Sequence, residues 1–239
     1  MEVAVDNQTA WYSIDGVDVI DSPALVVYRD RVKENIRLLK SMVDRVESLR
    51  PHVKTHKMAE VAGLLLEEGI RKFKCATIAE AEMLARAGAP DVLLAYQPIG
   101  PKISRLAQLV STYPATRFSC LVDNETAAGA VSRIFEREGL TLNVFIDLNV
   151  GMNRTGILPG RTALNLYLAC EGLPALSPVG LHAYDGHIRD SDFTLRKEKC
   201  DRAFEPVAAL AREIVALGKP PPVLVVGGSP TFPVHARRD

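Results

Sequence analysis

The stretch Arg50-Pro51-His52-Val53-Lys54-Thr55-His56-Lys57 sets two lysines and two histidines beside an arginine within eight residues. Lys54 closes a short apolar run and is surrounded by groups that are cationic or can become so. Crowding by positive charge favours the unprotonated form of an amine, and an unprotonated amine forms a Schiff base with an aldehyde. The same eight residues also read as a basic loop beside a strand, and the octapeptide alone does not separate the two readings.

Three other clusters carry possible chemistry. In Asp147-Leu148-Asn149-Val150-Gly151-Met152-Asn153-Arg154-Thr155-Gly156, two glycines permit a tight path and Arg154 projects between them. A fixed guanidinium there suits a phenolate oxygen such as that of pyridoxal phosphate (PLP), or is a solvated arginine on a surface turn. In Gly227-Gly228-Ser229-Pro230-Thr231, backbone N–H groups and the hydroxyls of Ser229 and Thr231 make a candidate phosphate cradle, although many loops contain such a run. In His182-Ala183-Tyr184-Asp185-Gly186-His187, alternation puts His182 and Tyr184 on one strand face, so Tyr184 can lie against a cofactor ring. His187 is a candidate proton-transferring group, and a structural histidine is the plainer alternative. His56 either bonds near a phosphate or supports Lys54.

The elements that must position these residues alternate strand and helix. Apolar runs at 51–54, 72–76, 92–96, 117–122, 142–148, 179–184 and 223–226 read as strands, with an earlier β-rich run at 24–28. Helical spacing follows most of them, and the longest helix spans 193–217 and ends at Gly218, with Asp190 and Asp192 as its polar start. This rhythm implies a parallel sheet, either open and doubly wound or closed as a barrel. Each candidate cluster falls at a strand's C-terminal end, the active-site face of a barrel. Seven βα units count from the strand of Lys54, one short of a closed barrel. The expectation is therefore an α/β fold of (β/α)8 TIM type, truncated after the seventh strand, with a polar lead-in over 1–20 and one barrel domain over 21–239.

Composition excludes several function classes. Lys+Arg and Asp+Glu balance at 29 each, so no charge excess calls for nucleic acid or a membrane surface. No window holds the roughly 20 apolar residues of a membrane span, and no secretory signal opens the chain. The four cysteines lack CxxC spacing, which points away from zinc and toward reduced thiols in the cytoplasm.

The four motifs, in this order on these strand ends, resemble the fold-type III PLP enzymes, whose barrel is that of the alanine racemase N-terminal domain. Within that group the chain is most similar to the D-threonine aldolase and D-serine dehydratase branch, from about Ser22 to its end. Residues 22–27 resemble the opening strand, and 50–57 the Schiff-base segment, which makes Lys54 rather than Lys57 the cofactor lysine. Residues 150–156 resemble the loop whose arginine, here Arg154, faces the cofactor oxygen, and 227–231 the phosphate loop. The resemblance implies a PLP-dependent lyase acting on β-hydroxy-D-amino acids. Aldol cleavage of D-threonine-type substrates would give glycine and an aldehyde, with His187 as base. The alternatives are D-serine dehydratase-type elimination to an α-keto acid and ammonia, or a non-catalytic PLP-binding protein; a barrel serving a phosphorylated sugar stands apart from PLP altogether. The resemblance also implies a homodimer and a divalent metal held by a C-terminal β-domain beyond this chain. No metal ligand is assigned here, and neither His235 nor Asp239 is taken as one.

Overall fold

In the computed structural model, residues 10–238 are described; the first nine residues of the lead-in and Asp239 lie outside the described residues. The alternation of apolar runs and amphipathic segments folds as α1 (Arg29–Ser41), α2 (Ala59–Glu67), β1 (Lys72–Cys75), α3 (Ile78–Arg86), β2 (Asp91–Leu94), α4 (Pro101–Thr112) and β3 (Arg117–Val122). It continues with α5 (Glu125–Arg137), β4 (Leu142–Leu148), α6 (Arg161–Glu171), β5 (Leu176–Ala183), α7 (Phe193–Ala216), β6 (Val223–Val226) and the single turn α8 (Phe232–His235). Helix starts are set by local capping: Thr77, Asn124 and Asp192 accept from the backbone N–H groups of Glu80, Ala127 and Leu195.

All neighbouring strands are parallel, and their order in the sheet is their order in the chain, β1 to β6. A doubly wound sheet reverses strand order at a switch point, and this one does not. On the inner face Leu93, Leu121, Phe145 and Val225, from β2, β3, β4 and β6, belong to one small buried cluster. Val179 of β5 completes the row, so one continuous apolar strip crosses the inner face from β2 to β6. This is the curled parallel sheet of a TIM-type α/β barrel. The larger core lies outside it, where Phe73, Val92, Ile146 and Leu181 pack against helix residues such as Leu84, Leu106, Val131 and Leu210.

Two expected strands are absent from the sheet. Residues 51–54 form no ladder; a lone bridge joins His52 to Lys74, and a 3-10 turn takes over at Val53–Thr55. Pro51 has no N–H to donate, and the His52 ring, by accepting from the Lys54 amide, bends the chain into the turn. Lys54 therefore sits on a turn beside β1 rather than on a strand. Residues 24–28 are extended but unpaired, with Leu25 79% exposed, and with Val27 they border a cavity between α1 and α2.

Candidate active site

The C-terminal ends of the strands converge on a cluster of nitrogen groups. Lys74, the third residue of β1, alternates with Phe73 and Cys75, which are fully buried in the outer core, so its own side chain enters the barrel. Its Nζ lies 3.4 Å from Nε2 of His182 on β5. His182 in turn holds Asp147 of β4, Nδ1 to Oδ1 at 2.7 Å. A carboxylate at Nδ1 fixes the proton there, leaving Nε2 as a bare acceptor facing Lys74. Burial, and then the Lys74 charge, hold the His182 imidazole below its ordinary pKa, in keeping with a neutral ring.

Around this chain of groups stand His52, Lys54 and Arg154. Burial first, then Lys74, Lys54, His182 and Arg154, push His52 down to about 3. Burial, followed by the charges of Lys54 and Arg50, lowers Lys74 to about 8. Arg154 is carried by a tightly bonded loop. Asn149 Oδ1 accepts from the amides of Gly151 and Asn153, and Gly156 N–H donates to Asp123. The Tyr184 ring lies between the two exposed cations, 5.7 Å from Lys54 Nζ and 5.0 Å from Arg154 Cζ. Gly186 is required behind it, because a Cβ there would fall 2.1 Å from the tyrosine hydroxyl. His187 is exposed and covers Gly151, whose added Cβ would lie 2.7 Å from the imidazole Nε2; Gly151 also has φ +115.

The glycine-rich loop after β6 differs in detail from a loop of free donors. Gly227 N–H donates to Ala183 O, and Gly228 N–H donates to Asp185 Oδ1, which also accepts from the Thr231 hydroxyl at 2.6 Å. Thr231 is fully buried. Asp185 lies beneath the loop and consumes these donors, so Thr231 and the glycine amides shape the loop while Ser229 forms its exposed edge. Burial pushes the Asp185 carboxyl up, but hydrogen bonds from His235, Thr231 and Gly228 outweigh it and leave the group below its usual range. His56 turns Nδ1 to the amide of Met58 and, with His52, borders the cavity between α1 and α2.

Of the sequence candidates, Lys54, Arg154 and Tyr184 are brought together, with His187 on the Arg154 loop. Lys74, Asp147 and Asp185 were not anticipated. A signal for Lys74 was present: helices cover the outside of each barrel strand, so Phe73 and Cys75 must face them and Lys74 the interior.

Asp185, Cys200 and His235 bring one ligand atom each within 4.8 Å of one another. They do not fit a metal. Arg238 donates from Nε to His235 Nδ1, so Nε2 carries the proton that it gives to Asp185 at 2.9 Å, and the same guanidinium lies 3.8 Å from Cys200 Sγ. A guanidinium already supplies the positive charge that an ion would bring.

A curled parallel barrel with a lysine, an arginine and a tyrosine meeting at its strand ends defines a cofactor-binding α/β barrel domain. Residues 27–238 match the model of the alanine racemase N-terminal domain, and the chain belongs to that fold-type III PLP family. It is 30% identical over 184 residues to the D-threonine aldolase of Arthrobacter sp, covering 76% of this chain and 47% of that protein. It is 29% identical over 233 residues to the D-threo-3-hydroxyaspartate dehydratase of Delftia sp. (strain HT23), covering 94% and 60%. The crystal structure of D-threonine aldolase from Filomicrobium marinum superposes with a TM-score of 0.82 at 27% identity, over 91% of this chain and 58% of that one. The chain thus spans about half the length of the curated relatives it matches.

The residues present fit PLP. Cations and neutral nitrogen groups face the mouth, and the carboxylates named around it are committed, Asp147 to His182, Asp123 to the Gly156 amide and Asp185 to Gly228 and Thr231. An anionic aromatic aldehyde would find an amine, a guanidinium and an aromatic ring here.

Proposed function

We propose that this chain is the cofactor-binding barrel of a PLP-dependent lyase acting on β-hydroxy-D-amino acids, and that the reaction is aldol cleavage of D-threonine-type substrates to glycine and an aldehyde. The observation that carries this reading is the convergence of Lys54, Arg154 and Tyr184 at the strand ends. Lys54 would hold PLP covalently through its amine, and Arg154 would hold the ring oxygen. Tyr184 would lie against the ring, with the 227–231 loop, Ser229 outermost, at the phosphate. PLP supplies an electron sink for bond breaking at the α-carbon. His187, exposed at the rim and resting on Gly151, takes the β-hydroxyl proton, the step that selects Cα–Cβ cleavage.

The Delftia match, over 94% of this chain, supports elimination to an α-keto acid and ammonia as the second reading. The reading also places the protein in the cytoplasm as a homodimer, with a divalent metal bound by residues other than those described. Four unpaired cysteines accord with a reducing compartment. Among the described residues no helix is long and apolar enough to cross a membrane.

The test is borohydride reduction of the PLP-loaded chain, mapping of the modified lysine by mass spectrometry, and product analysis with D-threonine and D-serine. Label on Lys54, with glycine and acetaldehyde from D-threonine, is the expected result. Keto acid and ammonia would move the assignment to elimination, and label absent from Lys54 would overturn the site.

A further inference from the structure

Lys74 has no part in the chemistry above, yet it is the most deeply enclosed cation of the mouth. An ammonium has three N–H donors, and the hydrogen bond that Lys74 makes through Nζ is a long one, 3.4 Å to the bare Nε2 of His182. Among the described residues Lys74 forms no ion pair. The nearest carboxylate, Asp147, is held by His182 Nδ1. A half-buried ammonium with spare donors favours the arrival of an anion to meet it. The groups whose charges it feels include both cations placed around the cofactor, Lys54 and Arg154.

We propose that Lys74 is a third, protonation-dependent anchor for the aromatic anion that Lys54 and Arg154 hold, contributing positive charge from the barrel interior while the Asp147–His182 pair fixes its position. This rests on the reading of the mouth as a PLP site and adds a residue to it. The charged and titratable groups around Lys74 are His52 before the 3-10 turn, Lys54 within it, Asp147 on β4, Arg154 on the following loop and His182 on β5, and the charge of Arg50, paired with Asp91 at the other end of the strand, also reaches it. His52 and His182 are neutral near pH 7. Lys74 itself, lowered to about 8, is charged below that pH and neutral above it. Anion affinity therefore falls as pH rises through about 8.

Pyridoxamine phosphate is the probe, because it keeps the phenolate and phosphate of PLP but has no aldehyde to bond Lys54. Its affinity is measured from about pH 7 to about pH 9.5 for the wild type, Lys74→Met and Lys74→Arg, with ratios to the wild type cancelling the probe's own titration. Lys74→Met is expected to bind roughly tenfold more weakly near pH 7 and to converge with the wild type at high pH, as loss of one charge-assisted contact requires. Lys74→Arg, charged at every pH, is expected to outbind the wild type increasingly as pH rises.

Equal affinities for the wild type and Lys74→Met across the range would overturn the proposal. If Lys74→Met does not fold, a Lys74→Arg curve parallel to the wild type overturns it instead. Borohydride label on Lys54 together with either negative result removes the role of Lys74 alone. Absence of both that label and any probe binding removes the PLP site and this inference together.

Discussion

The two ends of the barrel hold similar charges and treat them in opposite ways. At the N-terminal end, Asp91, the first residue of β2, lies between two arginines, with Arg50 at 2.5 Å and Arg117 at 2.9 Å. Arg50 also donates to Phe73 O, and the Thr116 hydroxyl donates to Ala89 O. Each charge there has its partner. At the C-terminal end Lys54, Lys74 and Arg154 face one another, and the carboxylate among them is committed to a histidine. A paired buried charge holds strands together, whereas a buried charge without a partner costs stability unless a ligand supplies the counter-charge. The division matches the general one in such barrels, with stability at the bottom and chemistry at the top.

The largest test of that contrast is a double dissociation. Lys54→Ala is expected to lose the covalent PLP adduct completely while leaving the thermal midpoint within about a degree, because an exposed side chain away from the core changes stability little. Asp91→Ala is expected to do the reverse. It strands Arg50, whose side chain is 9% exposed, and should cost about 3–5 kcal/mol by denaturant titration. Residual folded Asp91→Ala protein should still bind pyridoxamine phosphate with wild-type affinity. If Asp91→Ala weakened binding in proportion to its loss of stability, the two ends would not be separable.

Much of this architecture was legible in the chain. Six of the seven strands counted, and the long helix, follow from apolar periodicity and from caps such as Asp192, which accepts from Leu195 N–H. What failed was strand pairing at residues 24–28 and 51–54. Apolar runs show that a segment wants to be extended, but not whether a neighbour offers it a ladder. In the second case Pro51 and the His52 ring decided against one. In the candidate site, Lys54, Arg154 and Tyr184 could be singled out because each lies in a motif that follows an apolar run, and the three side chains come together in the structure. Lys74 lies inside a strand, and its significance rests on which face the strand turns inward. Asp185 was hidden for another reason: it directly follows Tyr184 and precedes His187 by two positions, but its partners Gly228, Thr231 and His235 lie more than forty positions away.

A smaller effect of opposite sign distinguishes the ends again. Lys74→Met replaces an enclosed amine by an apolar side chain of similar length. With Lys74 lowered to about 8 in the folded chain, its charged form is disfavoured by folding, so at pH 7 the variant should be about 1–3 kcal/mol more stable than the wild type. Thermal or denaturant unfolding without cofactor reads this directly. Saturating PLP should narrow the difference, since only the wild type gains a partner for the amine. A destabilised Lys74→Met would mean that the interior treats this lysine as a paired residue, like Arg50, and would erase the contrast.

The smallest expected effect is the response to mild acid, and it belongs to the top of the barrel. His52 is lowered to about 3 in the folded chain from an ordinary 6.5, chiefly by burial and then by the charge of Lys74. Between those values the unfolded chain binds a proton that the folded chain refuses, so stability rises with pH across this window and is lost on acidification. His182, also held below its ordinary value, acts in the same direction. Measured between about pH 7 and about pH 5, above the range in which carboxylates titrate, the wild type should lose stability steadily. His52→Gln, which removes the titrating ring, should show a shallower slope. Asp91→Ala should keep the wild-type slope on a lower baseline, because its damage lies at the end where no histidine is held neutral by neighbouring cations. A slope that flattened in Asp91→Ala and persisted in His52→Gln would assign the acid response to the wrong end and break the division drawn between them.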